Sequence, residues 1–291
     1  MSSSRSRIGA LVSALIALLA SAPARSDDHV FVPSFDAIYW TAPSGLEARR
    51  WFSHVHAFNN TTQTAIVRRV AVHVPVGFDS QFIETARGLL PRSGSVMDVI
   101  HRRQPFFIEF EVPPGVVVSA EVEKVYEKLC AGGSAGDPIS AVLGQGRVPL
   151  PVYRGLFPAG SDVVTNTIAL GNPRLTPDCA AENEKYLRRV NVTLFNGGEE
   201  PGTFTIKVLP LWNTPTPIYE TTVTLAAKEV RQVNRLPIPI VDSPQTFDWS
   251  GVFVWMVVTC DQPFLGYAST IFDDPEPGAQ PFEVFAFKSG T

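Results

Sequence analysis

The sequence predicts an all-β protein, in which two tandem β-sandwich domains follow a signal peptide. Three observations predict this fold class. Apolar and polar residues alternate with a period of two along most of the chain after residue 26, as they do in strands. No amphipathic segment has the length of a convincing helix. The 25 prolines and 21 glycines are spread along the chain, which is typical of many short strands separated by turns.

The first 26 residues have the layout of a signal peptide. Arg5 and Arg7 form a positive segment, an uncharged apolar run covers residues 8–20, and small residues allow cleavage after Ala24 or Ser26. The apolar run is shorter than the roughly 20 residues that cross a bilayer as a helix. The sequence therefore predicts a secreted or periplasmic protein with no integral membrane segment in its mature chain. An uncleaved N-terminal anchor is the alternative.

Charge and composition limit the partners. The chain has 24 basic and 28 acidic residues, a formal charge of −4, and loss of the three arginines in residues 1–26, which hold no acidic residue, takes this to −7. A negatively charged chain is a poor partner for nucleic acid or for an anionic membrane surface. Hydrophobic residues make up 45% and charged residues 18%, so the chain is able to bury a core. No cofactor is expected.

The chain divides into two parts at a glycine-rich stretch. We expect a first β-sandwich domain over residues 27–130, a linker over 131–147 and a second domain over 148–291. Residues 81–90 and 122–129 are compatible with short helices. The predicted strands are Trp51–Phe58, Ala65–Val74, Phe106–Val112, Val116–Val122, Tyr186–Phe195, Gly202–Leu209, Glu220–Leu225, Gly251–Thr259, Leu265–Phe272 and Pro281–Phe287.

The two parts show a weak internal similarity. The stretch WFSHVHAFNN at residues 51–60 resembles LRRVNVTLFNGG at residues 187–198. Each is an alternating segment that ends on Phe-Asn and is followed by a polar turn and a further strand. A divergent internal repeat explains this pattern, and chance similarity between two β-domains is the alternative.

Part of the second half resembles a known kind of module. The stretches VNVTLFNGGEEPGTFTIKV and WMVVTCDQPFLGYASTIFDDPEPGAQPF are similar to β-sandwich (immunoglobulin-like) modules of uncharacterised secreted bacterial proteins. In those modules one strand ends in a Phe-Asn turn, and a later strand carries a Tyr-Ala-Ser segment before an acidic turn. Here the later segment is Tyr267, Ala268 and Ser269. The resemblance covers residues 186–287, implies a sandwich fold, and implies no activity.

The three cysteines predict one disulfide and one free thiol in an oxidising compartment. Cys130 and Cys179 lie in loop-like stretches, so we expect these two to be bridged. Cys260 ends a strongly apolar run, where a buried and chemically quiet thiol is common.

His54 and His56 are weak candidates for a metal site, because two histidines at this spacing share one face of a strand. If residues 51–58 and 65–74 form a hairpin, His54 faces Arg69, and His73 lies about 13 Å away along the strand direction. That distance is too long for a shared ion. We therefore expect the two histidines to lie on an ordinary solvated face.

Other candidate ligands and catalytic groups are weaker still. Asp273 and Asp274 offer hard oxygens for calcium in one loop, but the spacing of a calcium-binding loop is missing. No Gly-x-Ser-x-Gly motif occurs, and no catalytic residue is assigned. Trp40, Trp212 and Trp249 lie beside turn residues and are candidates for an aromatic platform that stacks on sugar rings. Trp255 lies in a fully apolar strand and is expected in the core.

These observations favour a secreted, non-catalytic binding or structural protein whose β-domains assemble with a partner. The partner is expected to be a protein, through addition of a strand to a sheet edge, or a carbohydrate. An exported carbohydrate-active hydrolase is the alternative function. The extended segment at residues 27–36 either pairs within its own domain or adds to the sheet of another subunit.

Overall fold

A computed structural model of the 291-residue chain describes residues 28–34, 40–41, 47–76, 85–100, 106–129, 139–169, 188–211, 216–234, 236, 253–272 and 282–289. All regular structure within these ranges is β-strand, in four antiparallel sheets. The prediction of an all-β fold is therefore confirmed. The described residues contain no helix that is long and apolar enough to span a membrane. The predicted signal peptide lies outside the described ranges.

The N-terminal half forms two sheets. Sheet I has the order β2-β3-β8-β9, with β6 also paired to β3, and sheet II has the order β10-β1-β7-β4-β5. The strands are β1 (Asp28–Ser34), β2 (Trp40–Thr41), β3 (Glu47–Asn59), β4 (Ala65–His73), β5 (Thr85–Leu89), β6 (Gly94–Ile100), β7 (Phe106–Val112), β8 (Val116–Leu129), β9 (Ile139–Leu150) and β10 (Tyr153–Arg154).

The C-terminal half forms two more sheets. Sheet III has the order β16-β13-β18-β19, and sheet IV has the order β15-β14-β17-β11-β20, with β12 also paired to β17. The strands are β11 (Val163–Val164), β12 (Ile168–Ala169), β13 (Arg188–Asn196), β14 (Gly202–Pro210), β15 (Tyr219–Leu225), β16 (Val230–Val233), β17 (Phe253–Cys260), β18 (Phe264–Phe272), β19 (Phe282–Ala286) and β20 (Lys288–Ser289).

Each half has its own core between its two sheets. Sheets I and II enclose one apolar cluster, to which Val55 and Val118 contribute from sheet I and Val32 and Ile108 from sheet II. Sheets III and IV enclose a second cluster, with Val192, Phe264, Ile206 and Met256 among its members. Alternate residues of each strand supply these cores, as the period of two predicts.

Sheets II and III also pack against each other through their other faces. A third apolar cluster joins them and contains Phe31, Phe107, Tyr153, Phe195, Val230, Leu265 and Tyr267. The Tyr153 hydroxyl donates a hydrogen bond to the carbonyl oxygen of Gly266 at 2.5 Å across this contact. The four sheets therefore stack in the order I, II, III, IV, and each of the two middle sheets buries part of both of its faces. This explains the apolar runs FFI in β7 and FL in β18, because such strands have no solvent side.

The connection between the two halves is more ordered than the sequence predicted. Residues 139–147, the described part of the expected linker, belong to β9 and pair with β8. The glycine-rich composition weakened the strand signal there, but the long neighbour β8 supplies backbone partners. The prediction of two short helices is wrong for those of their residues that the structure describes. Residues 85–89 form β5 and residues 122–129 form part of β8. The placement of a domain boundary in this segment stays a prediction.

The expected hairpin between residues 51–58 and 65–74 does not form. β3 pairs with β6 and β8 in sheet I, whereas β4 pairs with β5 and β7 in sheet II. The chain crosses from one sheet to the other at residues 59–64. The Asn59 side chain, which is fully buried, holds this crossing by donating hydrogen bonds to the carbonyls of Gln63, Leu89 and Leu90. His54 consequently faces Glu121 rather than Arg69.

The two halves of the chain share one strand order. The strand order β5-β4-β7-β1 in sheet II recurs as β15-β14-β17-β11 in sheet IV. The strand order β6-β3-β8-β9 in sheet I recurs as β16-β13-β18-β19 in sheet III. Here β7 and β8, and likewise β17 and β18, lie in opposite sheets.

Candidate interaction faces

The two candidate metal-ligating histidines lie on the outer face of sheet I, each beside a carboxylate. His54 Nε2 is 2.8 Å from Glu123 Oε2, and the two side chains are 19% and 11% exposed. His56 Nε2 is 3.6 Å from Glu121 Oε1, and this pair is more open to solvent. The two imidazole rings stack with their centroids 6.3 Å apart. The face is therefore less solvated at His54 than the sequence predicted.

A guanidinium completes this polar group. Arg147 from β9 donates a hydrogen bond to Glu121 at 2.7 Å, and its second terminal nitrogen is 3.7 Å from Glu123. A shallow depression of about 320 Å³ lies beside it, lined by His56, Ser119, Ala120, Glu121, Arg147 and Pro149. Within the described ranges, no group of three or more His, Cys, Asp or Glu side chains is placed to hold a metal ion. The carboxylates of this face are instead held by histidine and arginine.

One end of the same face is apolar and exposed. Phe58 on β3 and Val117 on β8 are directly opposite each other in the register, and they are 45% and 52% exposed. Val96 on β6, which is also largely exposed, pairs with the neighbouring His56. Isolated exposed apolar residues are ordinary, but these lie close together on one face of a sheet. The outer face of sheet I, the first end of the stack, therefore combines an apolar end with a polar group.

The outer face of sheet IV, the second end of the stack, carries an unexpected tryptophan. Trp255 is half-buried on this face, and its neighbours Val254 and Met256 point into the core. Its indole N–H donates to the carbonyl of Pro210 at 3.3 Å. An open depression of about 620 Å³ beside it is lined by Thr165, Asn166, Thr167, Leu211 and Trp255. The expectation that Trp255 lies in the core is wrong, because its side chain projects from the face of β17 opposite to the one that enters the core between sheets III and IV.

Another polar group lies at the rim of the contact between sheets II and III. Glu109 accepts hydrogen bonds from His29 at 2.6 Å and from His73 at 2.8 Å. The His73 ring also packs on Phe195 of sheet III, with a centroid distance of 4.3 Å. A groove of about 340 Å³ separates this group from residues 227–229. Burial by itself raises the pKa of Glu109, but the hydrogen bonds and charges of the two histidines together lower it.

Several sequence-predicted site residues lie outside the described ranges. These are Cys130 and Cys179, Asp273 and Asp274, and Trp212 and Trp249. The backbone of Trp40 forms β2 and pairs with Arg49. Cys260 is buried at the end of β17, and burial raises the pKa of its thiol to about 11. The disulfide, the calcium loop and the three-tryptophan platform therefore stay predictions.

The extended segment near the N-terminus pairs within its own chain. β1 is in register with β7 along its whole length, from Asp28 opposite Val112 to Ser34 opposite Phe106. Val30 and Val32 are fully buried in the first core. Of the two arrangements left open by the sequence, the intramolecular one is present here.

Comparisons with known proteins give no relative from which a function follows. No protein-family model matches the chain, and no curated protein matches it. Among solved structures, an anti-sigma factor domain-containing protein is similar at 8% sequence identity and a TM-score of 0.12, with 87% of this chain and 96% of that chain covered. A likeness at this level carries no argument about fold or function.

Proposed function

We propose that this chain is an exported, non-catalytic structural protein that acts by binding protein partners through the outer faces of its two end sheets. One observation carries the proposal. Exposed or half-exposed apolar side chains are presented on both ends of the stack, by Phe58 and Val117 on sheet I and by Trp255 and Leu211 at sheet IV. Large apolar residues that cluster on a sheet face are typical of interaction sites.

The polar groups on these faces support binding rather than catalysis. On the sheet I face, Glu123 is paired with His54, and Glu121 is paired with His56 and Arg147. These carboxylates therefore do not form an acid–base pair around a cleft. The depression beside Trp255 is lined by hydroxyl, amide and apolar groups, and its described lining contains no carboxylate. A glycoside hydrolase requires two carboxyl groups flanking the scissile bond. The alternative of an exported hydrolase is therefore the weaker proposal.

The location and domain organisation belong to the same proposal. The signal-peptide pattern of residues 1–26 supports export, and the matching strand order of the two halves supports two tandem β-sandwich domains. The resemblance to modules of secreted bacterial proteins points in the same direction. Carbohydrate is the second candidate partner, and the half-exposed indole beside Asn166 and Thr167 favours it.

Site-specific photo-crosslinking in cells that export the protein tests this function. A benzophenone side chain replaces Val117 on the sheet I face or Leu211 beside the sheet IV face, and adducts are identified by mass spectrometry. We expect covalent protein adducts at both positions. Ile66, which is 50% exposed on β4 of sheet II, is the matched control and should give none. Absence of adducts at both faces, or hydrolysis of a polysaccharide by the purified protein, contradicts the proposal.

A further inference from the structure

The contact between sheets II and III is formed by residues that have equivalents in the other half of the chain, and these equivalents lie on the outer faces of sheets I and IV. The turn from β3 to β4 and the turn from β13 to β14 have equal length, so residue 59 corresponds to residue 196, an offset of 137. The loops from β7 to β8 and from β17 to β18 both contain three residues, so residue 112 corresponds to residue 260, an offset of 148. These two offsets align the strands that form the contact between sheets II and III.

Sheet III contributes two apolar side chains to that contact. The equivalent side chains of sheet I are exposed. Phe195 and Leu265 are opposite each other in the register and are buried against sheet II. Their counterparts are Phe58 and Val117, which are also opposite each other but face solvent. The same pair of positions is therefore covered in one half of the chain and uncovered in the other.

Sheet II presents aromatic side chains whose counterparts lie on the outer face of sheet IV. Phe107 stacks on Phe195, with centroids 5.6 Å apart, and also contacts Tyr267. The counterpart of Phe107 is Trp255, and it is half-exposed. Phe31, another sheet II aromatic in the contact, lies next to Val30, which pairs with Phe110. In sheet IV the equivalent pair is Val163 with Val258, so the counterpart of Phe31 is the half-buried Val164.

The internal contact is heterologous, because it joins a sheet of one kind to a sheet of the other kind. Sheets II and IV share one strand order, and sheets I and III share the other. The stack therefore ends in one sheet of each kind, and no other sheet of the described residues packs on either end. A heterologous contact that is not closed by rotation repeats from subunit to subunit and generates an open chain.

We propose that copies of this protein associate head to tail, with the sheet IV face of one copy packed on the sheet I face of the next. This arrangement places Trp255 of one copy against Phe58 and Val117 of its neighbour, as Phe107 lies against Phe195 and Leu265 within the chain. The inference rests on the proposed function and names its partner, a second copy of the same chain.

The polar groups of the two faces are compatible with this contact. On sheet I, Arg147 and the histidines already pair with Glu121 and Glu123. On sheet IV, Lys207 lies 3.9 Å from Glu220. Burial of either face leaves these pairs with partners of opposite sign, which limits the cost of removing them from water. Lys288, which is opposite Val164 on the edge strand β20, has to keep its ammonium group in solvent at the margin of the contact.

Between copies the contact lacks the covalent connection that tethers sheet II to sheet III. A short tether gives an effective concentration in the millimolar range. We therefore expect the associated fraction to increase as the protein concentration rises towards about 1 mM, and to be small at the lowest concentrations. Sedimentation velocity of the purified mature chain should show species that grow beyond the dimer as the concentration rises.

Two face variants distinguish this contact from a symmetric dimer. Val117→Glu blocks the sheet I face, and Leu211→Glu blocks the exposed margin of the sheet IV face without altering the core. Trp255→Glu is a second sheet IV variant. Each variant alone should stay monomeric, whereas a mixture of a sheet I variant with a sheet IV variant should form a one-to-one heterodimer that grows no further. Ile66→Glu, at a comparably exposed position on sheet II, should associate like the unaltered protein.

Circular dichroism and the melting temperature establish that each variant is folded before association is measured. A monomeric unaltered protein at all concentrations overturns the head-to-tail inference. So does an association abolished by variants of one face only, because that result indicates a symmetric contact. Crosslinks in cells to a different protein, combined with a monomeric purified chain, overturn self-association and leave the proposed function standing. Absence of both association and crosslinks contradicts the two together.

Discussion

Asn59 and Asn196 hold the same turn in the two halves of the chain. Each is fully buried and follows the last residue of an alternating strand segment. Each side-chain amide donates to three carbonyls: those of Gln63, Leu89 and Leu90 for Asn59, and those of Glu200, Leu225 and Ala226 for Asn196. Each side-chain oxygen accepts a hydrogen bond from the backbone N–H two residues later.

Replacing either asparagine should destabilise the chain strongly. Asn59→Ala and Asn196→Ala each remove the partners of several backbone groups at a crossing between sheets, and unsatisfied buried groups are costly. We expect each substitution to lower the free energy of unfolding by about 2–4 kcal/mol. Asn60→Ala, at the exposed neighbouring position, should change it by less than about 0.5 kcal/mol. Urea unfolding measures all three, and equal effects at Asn59 and Asn60 would show that the turn does not depend on the buried amide.

Stability should depend on pH through Glu109. Its pKa in the folded chain lies below the ordinary value of 4.5, so its carboxylate stabilises the folded state above that value. This contribution is lost as the pH falls through the lowered folded pKa. Glu109→Gln should therefore reduce stability near neutral pH and flatten the decline in acid. His29 and His73 are the donors that the variant disturbs.

Urea unfolding of both proteins from about pH 3 to about pH 7 measures this difference. Glu220→Gln, at an exposed position on β15, is the matched control and should retain the unaltered pH profile. Parallel profiles for Glu109→Gln and the unaltered protein contradict the assigned role of the carboxylate.

The two histidines of sheet I should contribute unequally to stability. His54→Ala removes one partner of Glu123 and leaves a largely buried carboxylate less well compensated, although Arg147 stays 3.7 Å away. We expect a loss of about 1–3 kcal/mol. His56→Ala, at a more exposed position with a longer contact, should cost less than about 0.5 kcal/mol. Thermal or urea unfolding compares the two, and equal losses would mean that the burial of the His54–Glu123 pair is unimportant.

Thiol titration should separate Cys260 from the two remaining cysteines. Burial and the raised pKa keep the Cys260 thiol protonated and inaccessible in the folded protein, so it should not react at neutral pH. Unfolding without reduction should release one reactive thiol if Cys130 and Cys179 are bridged. On the chain-entropy estimate such a bridge stabilises the fold by about 3–4 kcal/mol. Three reactive thiols after unfolding would eliminate the predicted disulfide.

The sequence alone was enough for the fold class and for several strands. Period-two alternation located β4, β7, β14 and β18 to within a few residues, because one side of each pleated strand must enter a core. The Phe-Asn similarity located both turns, but the first was expected only as a hairpin, whereas the chain crosses there from one sheet to the other. The segments 81–90 and 122–129 were misjudged for a physical reason. In the described part of these segments, residues 85–89 are strand because they pair with β4, and residues 122–129 because they pair with β3 and β9, so the strand character comes from partners outside each segment.

Only the tertiary structure decided which faces are covered. Phe58 and Phe195 end strands of the same pattern, and nothing local distinguishes them, yet one is 45% exposed and the other 1%. The difference arises because sheet III has sheet II against its outer face, whereas none of the other sheets in the described part of the chain packs on the outer face of sheet I. Trp255 was misassigned to the core for the same reason. Alternation determines which residues share a face of a sheet, whereas the stacking order of the sheets determines whether that face is buried.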